Sequence, residues 1–386
     1  MAPTRPGRQL IGLERVRVRE VVRRERGLVE LAVEPAEPGQ RSVLAIALPA
    51  LGDYRWRVGQ QVLVNTTAGS LGLGSGGFHL AVVPDPLELP CAPASWSRRL
   101  GHIVKLRYTP LQLAVRACEE PGGPYHRSLR DCDTLNDLPV AVLGLHSMLG
   151  PLAAAFKWQT TCAGNSARIA FVMTDSASLP AAVSRQLHRL RRLRLVDLTV
   201  TAGQAFGGDL EAVHPASALA ACVRAGADAA VVGPGPGIVG TRTRLGTTAL
   251  EVASLCDLVG ALGGQAVVPL RLSFADLRWR HRVVSHHVLT ALGRLAARPA
   301  RVVIPAGLGR AARRQALARL AAAGVLKRHH VAEVASPPPQ VLLELLEGHW
   351  DSMGRRFPED PHLFLAAAAA GRYLAGLTAA GPGGDR

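Results

Sequence analysis

Lysine is almost missing: only Lys105, Lys157 and Lys327 occur, although the 386-residue chain carries 45 basic residues and a formal net charge of +16. The positive charge is therefore arginine charge, in a chain also rich in Ala, Gly and Pro, as a GC-rich coding sequence would produce. Aromatic residues make up 4%. No basic run interleaves Phe or Tyr, so stacking platforms for single-stranded nucleic acid are not visible. Apolar runs are short: none reaches the roughly 20 residues that cross a bilayer, and the stretch at Ala366–Ala370 is the nearest approach. Arg5 and Arg8 are followed by arginine-studded sequence with no apolar run, so no secretory signal is expected. The cysteines Cys91, Cys118, Cys132, Cys162, Cys222 and Cys256 contain no C-x-x-C pair. That speaks against a zinc knuckle and for free thiols in a reducing cytoplasm. A phosphate-binding P-loop, a nucleophile elbow and an H-E-x-x-H zinc helix are all missing.

The sequence does contain two rhythms. Hydrophobic residues make up 48%, enough for a sizeable core and too many for a disordered chain. Residues 15–83 read as short strands: Val16–Val22, Leu28–Val33, Val43–Leu48, Gln61–Asn65 and Phe78–Val83. Alternation, β-branched residues and Gly/Pro punctuation predict a small barrel of OB or SH3 type. A Pro-rich link, Pro84–Ser97, and a strand at His102–Leu106 follow. From Pro139 the pattern becomes strand, loop, helix. Apolar strands begin at Val140, Arg168, Val196, Ala229, Ala266 and Arg301, each followed by a helical stretch. This alternation predicts an α/β fold with a doubly wound, mostly parallel sheet covered on both faces. The expected division is a barrel over 1–110, a connecting segment over 111–138, and a Rossmann-like domain with C-terminal helices over 139–380.

In such sheets ligands bind beyond the carboxyl ends of the strands. The loops there carry His146 and Ser147, then Thr174, Asp175 and Ser176, then Gly203–Asp209, then Gly233–Thr241, then Ser273, Phe274 and Asp276 with His281, His286 and His287. Gly235, Gly237 and Gly240 form a Gly-x-Gly-x-x-Gly run which, with Thr241, suits a backbone cradle for an anion at a helix start. A tight structural turn explains the same glycines. The acid that a dinucleotide fingerprint wants about 20 residues on is Asp257, which falls in a helix, so the full fingerprint fails. Asp209 reads as a helix N-cap or as a site carboxylate. Glu211 and His214, three apart, are candidate metal ligands on one helix face. His146 and His286 are the candidate acid/base residues, with Asp175 or Asp209 to orient them. His286 and His287 are neighbours on a predicted helix, pointing about 100° apart, so at most one is expected to face a site. His188, His329, His330 and His349 read as surface residues.

These strings resemble the bacterial family labelled DUF3866, a domain of unknown function. The similarity runs through Val64–Thr67 with Gly72–Gly74, Gly101–Gln112, Leu145–Ser147, Val172–Asp175, Ala205–Val213, Gly235–Thr241, and Ser273–Asp276 with Arg280, His281 and Ser285–His287. The resemblance implies membership and no activity. Arg242 departs from it, standing where a small residue is expected.

The reading favoured by the residues is a cytoplasmic enzyme acting on a small anionic or phosphorylated substrate, drawn by Arg242, Arg244, Arg271 and Arg280. A non-enzymatic protein that binds RNA or a protein partner, and a metabolite sensor, remain open alternatives. Nucleic acid is the secondary partner reading, no membrane partner is expected, and self-association stays open. The sequence names no cofactor and leaves any metal unidentified.

Overall fold

A computed structural model describes residues 12–25, 27–34, 43–49, 54–67, 78–85, 101–109, 111–349 and 351–379. The Pro-rich link beyond Asp85, Gly72–Gly74 and the tail from Gly381 lie outside the described residues. The chain divides into two compact units, Met1–Leu100 with Leu106–Leu113, and Gly101–Lys105 with Ala114–Arg386.

The first unit holds a closed five-stranded barrel: β1 (Leu13–Glu25), β2 (Leu28–Glu34), β3 (Val43–Ala47), β4 (Gln61–Asn65) and β5 (Phe78–Asp85). Their order is 1-2-3-5-4, with β3 and β5 parallel, which is the OB rather than the SH3 arrangement. The first half of β1 pairs with β4 and the second half with β2. Register shifts at Val18/Glu20 and Val21/Arg23 bend β1 far enough to do both. Alternation does the rest. Val16, Val18, Val29, Leu31, Val33, Val62 and Val64 point inward around Trp56, while Arg15, Arg17 and Arg19 face outward.

The second unit is built on an eight-stranded parallel sheet. In chain order its strands are β6 (Pro139–Val142), β7 (Ile169–Thr174), β8 (Leu198–Thr201), β9 (Leu210–Glu211), β10 (Ala229–Pro234), β11 (Gln265–Pro269), β14 (Arg301–Ala306) and β15 (His330–Ala335). A short antiparallel pair, β12 (Leu272–Ser273) and β13 (Val283–Val284), stands outside the sheet. The sheet order is 9-8-7-10-6-11-14-15. The longer helices are α1 (Leu149–Cys162), α2 (Arg185–Arg192), α3 (Pro215–Arg224), α4 (Glu251–Ala261), α5 (His286–Thr290), α6 (Arg310–Ala322), α7 (Pro339–Leu345) and α8 (Pro361–Ala379).

Period-two alternation within apolar strands sorts side chains onto two cores. Val140, Val142, Ala170 and Val172 pack with α3, α4, α5 and α6. Ala141, Leu143, Ile169, Phe171 and Met173 pack with α1, α2, α7 and α8 on the opposite face. The α/β reading with an N-terminal barrel is thus borne out. The apolar stretch Ala366–Ala370 belongs to α8; Ala367–Ala370 pack with α1 in the second of these cores, while Ala366 reaches the first. Among the described residues, no helix is long and apolar enough to cross a membrane.

Several local expectations are corrected. The helix expected to start at Leu210 starts at Pro215, because Pro favours the first helical position and His214 caps it through Nδ1 and a reciprocal Ser217 bond. Leu210–Glu211 instead adds an edge strand to the sheet. Asp209 therefore caps no helix. The helix expected to carry His286 and His287 is short: the two-residue strand Val283–Val284 precedes it, and α5 runs into a π-turn at Ala291–Leu295. His329 is buried rather than superficial, with Nδ1 accepting from Ala300 N–H and Nε2–H donating to Leu292 O.

Candidate functional site

The carboxyl ends of β7, β10, β6 and β11 share one edge of the sheet. The chain leaves β6 toward β7 and leaves β11 toward β14, so its direction across the sheet reverses between β6 and β11, the kind of place where doubly wound sheets bind ligands. Most of the residues singled out from the sequence follow strands at this edge, but Asp209 lies beside the start of β8, against Thr199 and the last turn of α2, and the structure does not assemble them. No hydrogen bond or ion pair joins any two of His146, Asp175, Asp209, His214 and His286.

His146 follows β6 and is buried. The carbonyl of Pro234 can only accept, so His146 Nδ1 donates to it, at 3.0 Å; Nε2 then accepts from Ser184 Oγ, at 2.6 Å. Burial pushes its pKa down to about 4, against a smaller upward pull from the Pro234 bond. Both ring nitrogens are committed, which leaves none for a substrate. Asp175 accepts from Gln204 N–H at 2.8 Å. Asp209 accepts from Thr199 N–H at 2.9 Å and pairs with Arg191 at 2.8 Å.

Glu211 is not exposed for a metal. Its Oε2 accepts from Lys105 and from Thr201 Oγ1, both at 2.7 Å, and Oε1 accepts from Gly207 N–H at 2.7 Å. With His214 spent on its cap, the pair has no shared free face. Lys105, 0% exposed, also donates to the Thr201 and Ala205 carbonyls. Three donors thus meet three acceptors, which makes Lys105 a staple between segments and not a nucleophile. Sequence reading gave Lys105 no role, although it is one of three lysines and stands within the Gly101–Gln112 string.

The glycine loop also differs from the anion cradle. A Cβ on Gly235 would lie 2.6 Å from Ser178 O, so that glycine is required by packing. Gly237 has φ +94° with open space around it. Gly240 bridges to Thr247, and Thr241 N–H and Oγ1 both donate to Gly246 O, at 2.8 and 3.1 Å, closing the loop on itself. The helix that follows, α4, begins at Glu251, whose carboxylate accepts from Ser176 Oγ at 2.6 Å and Thr174 Oγ1 at 2.8 Å. Burial raises the pKa of Glu251, and these two bonds oppose the rise.

What the edge does assemble comes after β11. The chain passes through β12, a 3-10 turn at Trp279–His281 and β13, then enters α5 at His286. Val283 sits at φ +67°, a conformation that β-branched residues rarely adopt, and it lies in the reversal between His281 and α5. The reversal brings three imidazoles together. Ring centroids lie 5.2 Å apart for His281–His286, 4.8 Å for His281–His287 and 4.3 Å for His286–His287. One ring nitrogen from each lies within 4.8 Å of the others, and among the described residues this is the group of such side chains able to hold a metal ion. The expectation that only one of His286 and His287 faces a site thus meets a rival arrangement. The two Cβ atoms diverge at the helix start, but both rings fold toward His281.

Ser285 underlies the cluster, with its Oγ 2.8 Å from His281 Nδ1 and accepting from His287 N–H. His286 Nε2 and His287 Nδ1 are buried without a hydrogen-bond partner. All three imidazoles are held neutral. Burial first, then Arg271, pushes His281 down to about 3. Burial, then His286 and Arg271, pushes His287 to about 3. Burial, then Arg280, Arg271 and Arg244, lowers His286.

The surrounding charge is positive. Burial alone would raise the Asp276 pKa, but bonds from Arg278 at 2.8 and 2.9 Å and the charge of Arg355 hold it well below the carboxylate range. Arg271 reaches Asp276 at 3.7 Å, and burial pushes it down to about 10. Arg355 joins Asp276 to Asp360, and Asp360 accepts from Ser273 Oγ at 2.7 Å. Two carboxylates thus serve three guanidinium groups. Arg280 and Arg244, whose charges act on His286, have no carboxylate partner among the described residues.

A family model described as a protein of unknown function, DUF3866, matches residues 45–371. No curated protein and no solved structure matches the chain.

Proposed function

The chain belongs to the DUF3866 family, a membership that carries no activity with it, and from the geometry we propose that the protein binds and transforms a small anionic substrate beside the His281–His286–His287 cluster. The observation that supports this reading is the excess of guanidinium charge around three neutral imidazoles. Among the described residues Arg280 and Arg244 have no carboxylate partner, and their charges act on His286. A carboxylate, sulfate or phosphate group meets their charge and their planar donors. The imidazoles then present neutral lone pairs to the reacting end of the bound molecule. The substrate is small because the arginine excess is local. Arg244 follows the glycine loop Gly235–Thr241 in the chain, and the turn Thr248–Leu250 beyond it packs on α5.

An RNA-binding reading finds less support. Oligonucleotide-binding barrels of this topology present β2 and β3, and here those strands read Leu-Val-Glu-Leu-Ala-Val-Glu and Val-Leu-Ala-Ile-Ala, with no cation and no aromatic ring.

The test is a thermal-shift series with inorganic phosphate, sulfate, simple carboxylates and phosphorylated metabolites, on the wild type and on an Arg244→Ala/Arg280→Ala variant. An anion that raises the melting temperature of the wild type and not of the variant supports the site. Equal shifts in both, or none in either, overturn it. A bound ligand recovered unchanged after long incubation separates a sensor from an enzyme.

A further inference from the structure

The three imidazoles pose a problem that an anion alone does not solve. His287 is 8% exposed and His281 is 2% exposed, yet His287 Nδ1 and His286 Nε2 have no hydrogen-bond partner. A buried polar atom left unpaired costs about 1–3 kcal/mol. Neutral imidazole nitrogens also repel one another's lone pairs when they converge without a proton or ion between them. Three converging imidazoles, two of them with a buried nitrogen left unpartnered, offer what a metal ion takes up.

We infer that His281, His286 and His287 are the protein ligands of one divalent first-row transition metal of the zinc class, and that the anion held by Arg280 and Arg244 fills a remaining coordination position. The inference rests on the anion-site reading for its second half only. The donor set is all imidazole, which suits zinc, cobalt, nickel, copper or iron and not magnesium or calcium. Three histidines with an open position are a known catalytic zinc pattern. The nitrogens lie within 4.8 Å of one another, whereas bonds of roughly 2.0–2.1 Å to a tetrahedral ion place ligand atoms somewhat closer. Small side-chain rotations close that gap.

The supporting contacts are those a ligand needs. A metal-bound histidine donates its other N–H to an oxygen that fixes its tautomer. Ser285 Oγ, 2.8 Å from His281 Nδ1, is placed to accept that proton and leave Nε2 for the ion. Ser285 also caps α5 by accepting from His287 N–H, so one hydroxyl orients both segments that bear the ligands, the turn at His281 and the helix with His286 and His287. Asp276 is not a fourth ligand, because Arg278, Arg271 and Arg355 already occupy it.

The cationic surroundings set the character of the site. A bare dication beside Arg271, Arg280 and Arg244 is repelled, and neutral imidazoles bring no charge to offset it. A metal bound together with an anion escapes that penalty. Metal and anion therefore strengthen one another's binding by the same factor. When bound, the ion supplies Lewis-acid polarisation of the substrate or an activated water.

The test uses the full chain without a histidine tag, stripped with chelator and titrated with Co2+ with and without sodium sulfate, read by visible absorption and by metal analysis of the desalted protein. The inference expects one Co2+ per chain, the intense visible bands of four-coordinate cobalt, and at least tenfold tighter binding in sulfate. His286→Ala and His287→Gln should each weaken cobalt binding at least a hundredfold. Their circular dichroism and melting show whether the fold is intact, and the half-buried His286 is the safer position. No stoichiometric cobalt, or binding that survives both substitutions, overturns the metal assignment. If sulfate stabilises the chelated wild type through Arg244 and Arg280 while cobalt does not bind, the metal inference fails and the anion reading stands. If cobalt binds through the histidines and sulfate changes nothing, the anion reading and the coupling fail together.

Discussion

His146 donates from Nδ1 to the carbonyl of Pro234 at 3.0 Å, tying the turn after β6 to the end of β10. The same ring accepts from Ser184 Oγ at 2.6 Å, and Ser184 caps α2 by accepting from Leu187 N–H. One buried imidazole therefore joins three segments at the carboxyl edge of the sheet, and it does so only when neutral.

A pH dependence of stability follows. The folded pKa of His146 is about 4, against 6.5 when unperturbed. The unfolded chain binds this proton first, so the full stability is present above about 6.5 and is lost as pH falls from there toward 4. The loss approaches about 3 kcal/mol. Urea unfolding between pH 7.5 and pH 4.5 should show it, and His146→Gln should flatten the slope by that amount. Parallel slopes in the two proteins would contradict the assignment, because other buried histidines contribute equally to both.

Lys105 and Glu211 form a nearly dry pair at 2.7 Å. Lys105→Met leaves Glu211 without its cation and two carbonyls without a donor. Breaking such a pair from one side costs about 3–5 kcal/mol. Chemical denaturation should read that loss, with Arg130→Met, whose exposed pair with Asp131 is worth at most about 1 kcal/mol, as the neutral comparison.

Two glycines of α8 should respond in opposite senses to alanine. At Gly371 a Cβ would lie 2.1 Å from Leu152 O, so α1 has to move, whereas at Gly376 nothing lies within 4 Å. Gly371→Ala should cost at least about 1–3 kcal/mol. Gly376→Ala should add about 0.5–1 kcal/mol through helix propensity. Melting temperatures that shift the same way for both would refute the close packing of α8 on α1.

Ser285→Ala removes the hydroxyl that meets His281 Nδ1 and caps α5. The lost cap should cost about 1 kcal/mol. Cobalt affinity should fall about 10–100-fold, and Ser285→Thr should restore much of it. A variant that loses stability but binds cobalt unchanged would show that Ser285 serves the helix alone.

Much of the fold was legible in the sequence. Val140, Ala170, Val231 and Val302 lie in continuous apolar runs followed by helices, and burial on both faces of a parallel sheet demands that pattern. Edge strands were harder to see. Leu210–Glu211 is too short for a period, and His330–Ala335 at the other edge is half exposed and carries polar residues. The loop roles were legible least. Gly235 and His214 carry the residue types of an anion cradle and a metal ligand, yet a packing contact with Ser178 and a helix cap use them up.

By itself the sequence determined what depends on local period and composition: a barrel of alternating strands, an α/β sheet after Pro139, and a charge made of arginine. Tertiary structure decided which polar groups meet. Lys105 and Glu211 are 106 residues apart, and only the sheet edge brings them to one point. His281, His286 and His287 are close in sequence, but helical geometry alone would spread them. The left-handed turn at Val283 and the short α5 fold their rings together. Periodicity is a property of neighbours along the chain, whereas convergence depends on where the backbone reverses.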